Sequence, residues 1–196
     1  ETGTYHGETS SWASEHFAHV YTIENSPDLL KIAMEKCGQT PNITFYQGDS
    51  RDKLHEISSR MSNPGIFWLD AHWSGGLTYG ADDECPLLDE IAVINGSKLD
   101  HIILIDDARL FLSPPPLPHR VHNWPDITGV INALQAADRS RYVVVVEDVI
   151  IAVPYELKEI VVAYCRDINA ELWKHRSATN ESVGYRFDPG GMVKLL

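Results

Sequence analysis

With 196 residues, 43% hydrophobic and 22% charged, the chain is long enough to bury one sizeable core and short enough to need only one, so a single domain over 1–196 is expected. A formal net charge of −12 lacks the basic face that a phosphate backbone recruits, which argues against nucleic acid as a partner. No run approaches the ~18 consecutive apolar residues of a membrane span, and Cys37, Cys85 and Cys165 contain no CxxC pair, so neither a membrane, a disulfide framework nor structural zinc is expected, and a reducing, cytoplasmic setting fits best.

The opening "ETGTYHGETSS" reads as a strand-to-helix turn, which places a first strand before Glu1. A helix near 8–18 follows, then an apolar strand His19–Glu24. Ser26-Pro27-Asp28 is an N-cap with proline at the first helical position, and that helix ends near Gly38. The run "NITFYQGD" is the next strand, 51–62 the next helix, and "GIFWLD" a strand opened by Pro64-Gly65. Pro86 starts a helix with Leu87, Leu88, Ile91 and Ile94 on one face, and "HIILIDD" is a strand with no polar side. Residues 112–125, "LSPPPLPHRVHNWP", form a proline-rich loop, because proline removes donors that helix and central strand need. A helix around 126–138 leads to "YVVVVEDVIIAVP", a buried strand with an antiparallel partner. Leu157, Ile160, Val161, Tyr164, Ile168 and Leu172 mark a late helix, and 177–196 carry no clear pattern.

Strands alternating with helices predict an α/β, Rossmann-like, doubly wound and mostly parallel sheet with an antiparallel last strand. Ligands of such sheets bind beyond the carboxyl ends of the strands, and Glu24, Asp49, Asp70 and Asp106-Asp107 all fall there. Capping is the default for any one such acid, and Asp28 and Asp126 are read that way; four successive strand ends closing on acids point to a site. The glycines of Glu1-Thr2-Gly3-Thr4-Tyr5-His6-Gly7-Glu8-Thr9-Ser10 permit close backbone approach to a ligand. With Glu24 placed to take two ribose hydroxyls, the pattern describes a nucleoside site.

On these residues the chain resembles the class I S-adenosylmethionine-dependent methyltransferases. Their E/D-x-G-x-x-x-G turn and strand-end acids correspond, in order, to Glu1-Thr2-Gly3 through Gly7, to Glu24, to Gly48-Asp49-Ser50 and to Asp70, across roughly 1–154. The resemblance implies cofactor contacts at Glu1, Gly3, Thr4, Gly7, Thr9, Glu24, Asn25, Gly48, Asp49, Ser50 and Asp70, with Asp49 near the adenine. The turn lacks the third glycine of the richest versions of that motif. Within the superfamily, Asp70 with Asp106 and Asp107 resembles the Mg²⁺ site of the metal-dependent O-methyltransferases acting on small molecules and sugars. Three carboxylates suit an oxygen-loving octahedral ion that activates an acceptor hydroxyl, with His72 as the nearby general base and Asp70 beside it. A structural His72 packed under Trp73, and a solvated charge run at Asp82-Asp83-Glu84, are the plainer alternatives; His6 and His101 are read as structural or exposed. His119, Arg120, His122 and Trp124 lie on the loop where similar enzymes select their acceptor, a small molecule or sugar. A homo-oligomer would complete the uncovered start and the long loop.

Two other readings stay open. Asp70-Ala71-His72 is also a binuclear-metal hydrolase signature, although Ser74 replaces the next ureohydrolase acid, and Gly48-Asp49-Ser50-Arg51-Asp52 precedes it in the wrong order for a phosphoesterase. A methyltransferase fold retained only as a binding module is the third.

Overall fold

The computed structural model describes residues 1–73, 75, 80, 83–136 and 139–183, with side chains through Lys174. Gly76, Asp82 and residues 184–196 therefore lie outside the described residues. The chain forms two compact units, Glu1–Leu157 and Lys158–Leu196.

In the first unit the helices begin where the sequence supplies caps. After α1 (Glu8–His16) and β1 (Val20–Glu24), α2 (Pro27–Cys37) starts on Ser26, whose Oγ accepts from the Leu29 amide with Pro27 in the first turn. β2 (Ile43–Gln47) leads to α3 (Ser50–Arg60), capped by Asp49. β3 (Ile66–Leu69), α4 (Leu87–Asn95) and β4 (Ile102–Ile105) follow, then a single-turn α5 (Arg109–Leu112) that the proline-rich stretch concealed. α6 (Ile127–Gln135) is capped by Asp126, and β5 (Arg141–Val146) turns tightly into β6 (Val149–Pro154). Over its described residues the second unit is one helix, α7 (Lys158–Val183), which carries the late apolar pattern and runs past residue 177.

β1 pairs in parallel with β2, and β3 with β4. Thr2 bridges in parallel to Ile23 and to Leu69, so the opening turn lies between β1 and β3. Its amide donates to Trp68 O at 2.9 Å, and Asp70 N donates to Thr2 O at 3.1 Å. β6 runs antiparallel to both β4 and β5, which gives the antiparallel last strand. Ile103, Ile105 and Ile150 on the sheet bury against Ile91 and Ile94 of α4, Leu54 of α3, and Val130 and Leu134 of α6. Removing such side chains from water is the main favourable term, roughly 1.5–3 kcal/mol each.

The amino-terminal ends of the strands are held by polar side chains with structural duties. His101 is fully buried; its Nδ1 accepts from the Gly65 amide at 3.0 Å, which leaves Nε2 to meet Ser97 Oγ at 3.0 Å. Arg141, only 6% exposed, donates from Nη1 to Asn95 Oδ1 and to Leu134 O, both at 2.7 Å, and so closes the carboxyl ends of α4 and α6. Arg141→Ala is expected to lower stability by about 3 kcal/mol, since two hydrogen bonds to a charged group are lost and the relieved desolvation offsets only part. A lower denaturation midpoint at unchanged m-value is the readout.

Candidate functional site

A crevice of about 370 Å³ opens beyond the carboxyl ends of the parallel strands. It gathers Gly3, Glu24, Asn25, Gly48, Asp49, Ser50, Asp70, His72, Asp106 and Asp107 from the residues singled out by sequence. Glu1, Thr4, Gly7 and Thr9 are not among its lining. Glu1 accepts hydrogen bonds from Ser10 and from Thr22 Oγ1; Thr4 Oγ1 lies 2.6 Å from Thr22 Oγ1; Gly7 caps α1; Thr9 sits within that helix. These four build the turn, and the turn presents Gly3. With φ at +82° and an added Cβ falling 2.1 Å from Asp70 O, that position accepts glycine alone and brings bare backbone to the crevice.

Glu24 ends β1 and is 7% exposed. Its Oε2 accepts from Tyr5 N at 2.9 Å and its Oε1 from Ser26 N at 2.8 Å. Two backbone donors fix the carboxylate at the crevice wall, and each oxygen keeps a second lone pair for a hydroxyl donor.

Asp49 does two things that its sequence position did not separate. It caps α3 through Oδ1, which accepts from Arg51 N, and it takes the Arg51 guanidinium in a fork, Nε to Oδ1 at 2.9 Å and Nη2 to Oδ2 at 2.7 Å. The Arg51 hydrogen bond holds the Asp49 carboxyl below its usual range. Arg51 also donates from Nη1 to Asp83 Oδ2 at 2.7 Å, so Asp83 is tied across the crevice rather than simply solvated. Sequence reasoning missed Arg51; the only signal was an arginine two residues after a capping acid.

At the other end of the crevice, His72 is nearly enclosed, its side chain 6% exposed. Nε2 lies 2.9 Å from Asp107 Oδ2, and Nδ1 lies 3.6 Å from Asp70 Oδ1. Asp107 reaches this position in a left-handed conformation, φ 55°, and its Oδ1 meets Arg109 Nη1 at 2.6 Å. Arg109 is itself anchored to Asp148 in the β5–β6 turn. Among the described residues the ring that meets His72 is that of Trp124, at 5.4 Å between ring centres.

Burial pushes the Asp70 carboxyl up to about 7, with His72 opposing and Asp106 and Asp107 reinforcing the rise. For His72, burial alone would lower the pKa, but the Asp107 hydrogen bond and the charges of Asp70, Asp107 and Asp106 outweigh it and raise it. The His72 hydrogen bond in turn lowers Asp107. The repulsion expected among Asp70, Asp106 and Asp107 is met by His72, which faces both Asp70 and Asp107, and by Arg109 on Asp107.

This arrangement does not fit the expected Mg²⁺ triad. Asp107 has one oxygen on His72 and the other on Arg109, and Asp106 Oδ1 accepts from Asp107 N at 2.8 Å. Among the described residues, no group of three or more His, Cys, Asp or Glu side chains is placed to hold a metal ion. No described helix is long and apolar enough to cross a membrane.

No family model and no curated protein sequence matches the chain. Solved structures do match. An O-methyltransferase from Bacillus cereus in complex with SAH superposes with a TM-score of 0.56 at 16% identity, over 78% of this chain and 71% of that one. The O-methyltransferase TomG from Streptomyces achromogenes, involved in tomaymycin synthesis and in complex with SAM, gives 0.54 at 14% identity over 78% and 70%. The SAH-bound methyltransferase PaMTH1 from Podospora anserina gives 0.52 at 15% identity over 78% and 68%. With its strand order and its crevice at the strand ends, the chain has the Rossmann-like fold of the class I S-adenosylmethionine-dependent methyltransferases.

Proposed function

We propose that the protein transfers a methyl group from S-adenosylmethionine to a hydroxyl of a small molecule or sugar, with His72 as general base. The observation that carries this is one crevice joining a backbone cradle at Gly3 and a fixed carboxylate at Glu24 to a histidine whose tautomer is set by Asp107. The bare Gly3 backbone at the crevice wall, held against the end of β3 where no Cβ has room, and the buried Glu24 fit a nucleoside. Bound there, S-adenosylmethionine supplies an electrophilic methyl on a positive sulfonium.

The protein's own groups then have definite duties. Glu24 takes the ribose hydroxyls, and Asp70 faces the charged methionyl end. His72 donates Nε2–H to Asp107, so the Nδ1 lone pair is the one available to accept the proton of the acceptor hydroxyl. Asp107 and Asp70 stabilise the imidazolium that results, while Arg109 balances Asp107. No step of this scheme runs through a divalent ion: Asp107 has its two oxygens on His72 and Arg109, and Asp106 Oδ1 accepts from the Asp107 amide. The hydrolase reading needs metals on the same acids and loses support for the same reason.

Glu24→Ala tests the cofactor half of the proposal. It should weaken SAH binding by about 1.5–3 kcal/mol, the scale of hydrogen bonds to a charged group, which is roughly 10–100-fold. Unchanged affinity in a folded variant would remove Glu24 from the site.

A further inference from the structure

Glu84 precedes α4 on the segment that leaves β3, and it is 1% exposed although its sequence context is an acidic run. Its carboxylate accepts from Arg120 N, 3.0 Å from each oxygen, and from Trp124 Nε1 at 2.7 Å on Oε2. His119 Nδ1 stands 3.4 Å from the same Oε2. The Glu84 carbonyl accepts from Trp73 N at 2.7 Å. Burying a carboxylate is strongly unfavourable unless N–H donors replace its water, and here the donors come from the proline-rich loop. One residue thus ties together the segment just after Asp70-Ala71-His72, the entry to α4 and the loop that ends at Trp124.

Trp124 carries that tie to the site. Its ring meets His72 edge-on at 5.4 Å and 60°, lies 5.7 Å from Phe111, and has His119 at 5.1 Å. His119 meets Trp73 at 5.4 Å. The imidazole of His72 is therefore bounded by an indole on one side and by Asp70 and Asp107 on its two nitrogens. Pro114, Pro115, Pro116 and Pro118 deprive the loop of backbone donors, so it depends on contacts such as these for its position.

We propose that Glu84 is a positioning residue for His72: by binding the Trp124 indole and the Arg120 amide it fixes the aromatic wall that holds the imidazole on Asp107. The inference rests on the proposed role of His72, and Glu84 itself touches no reacting atom.

The test uses the full chain labelled with ¹⁵N-histidine, in which the His72 Nε2–H signal and its solvent exchange are followed in wild type, Glu84→Gln and Trp124→Phe. Gln presents an N–H where two donors converge, and Phe keeps an aromatic ring but removes the indole donor. Each single variant should exchange the His72 Nε2 proton roughly tenfold faster, equivalent to ~1.4 kcal/mol, and the double variant should add little more, because both break one linkage. SAH affinity, titrated on the same samples, should stay within about twofold of wild type, as expected for groups outside the cofactor crevice. Unmoved ring signals in Trp124→Phe overturn the inference, and that variant decides alone if Glu84→Gln does not fold. Additive effects, or SAH affinity falling in parallel, overturn it as well. If wild type itself binds no SAH, the methyl-transfer reading fails, while the ring signals still report whether Glu84 holds His72.

Discussion

Methyl transfer by His72→Ala is expected to fall about 10²–10⁴-fold, the range a general base contributes, with SAH affinity little changed. The acceptor is whichever member of a panel of phenols and sugars the wild type turns over. The expectation follows from enclosure and tautomer together: Asp107 occupies Nε2, and Nδ1 stands 3.6 Å from Asp70, beyond hydrogen-bond reach, which leaves its lone pair for the acceptor hydroxyl. The pH profile fixes the sign. A base must be neutral, and the pKa of His72 is raised above its ordinary 6.5 by the acids around it. Turnover should therefore be lost as pH falls through a midpoint above 6.5 and should level off at higher pH. Asp70, pushed up to about 7, titrates in the same region, so the limb reports the pair rather than either group. Asp107→Asn removes the partner that raises His72 and should move the limb to lower pH. A profile flat from pH 5.5 to 8, or a His72→Ala rate within about threefold of wild type, far short of what a general base contributes, would remove His72 from the chemistry.

Gly3→Ala should both destabilise the fold and abolish cofactor binding. The added Cβ would lie 2.1 Å from Asp70 O and 2.8 Å from Asp70 C, and these are backbone atoms that cannot rotate away. Relief requires moving the turn off the end of β3, and with it Thr2, whose parallel bridges to Ile23 and Leu69 join the two parts of the sheet. The left-handed φ of +82° adds a conformational penalty of ~1–2 kcal/mol for alanine. With overpacking of typically 1–3 kcal/mol, the total loss is roughly 2–5 kcal/mol. Thermal melting with and without SAH reads both effects. A variant that melts like wild type and is stabilised equally by SAH would show that the turn is not where the cofactor lies.

The elements that sequence placed well are those whose signals are local. "IILI" of β4 has no polar side to leave in water, and Ser26-Pro27 and Asp126 announce helix starts by their own chemistry. The strand-end acids were legible for the same reason, since a parallel sheet puts its ligands at that edge. What stayed hidden depends on partners distant in the chain. Glu84 looks like part of a solvated run because nothing local marks the Trp124 indole and Arg120 amide that bury it. Asp107 reads as a metal ligand until Arg109 and His72 are seen on its two oxygens. Glu1 and Thr4 sit in a ligand-binding motif, yet their oxygens turn inward to Thr22. Asp49 lines the crevice as the sequence suggested, but nothing local marks the fork it makes with Arg51 while capping α3.

The crevice between Gly3, Glu24 and Asp70 is expected to hold S-adenosylmethionine, which calorimetric titration of the full chain with SAM and SAH decides. Saturable binding of both at one site per chain is predicted, with a rise in melting temperature matching ~2.7 kcal/mol of stabilisation at a hundredfold excess over Kd, and with the heat sharply reduced in Glu24→Ala. No heat and no thermal shift from either compound at ~1 mM, a concentration that detects even an affinity worth only ~4 kcal/mol, would contradict the account.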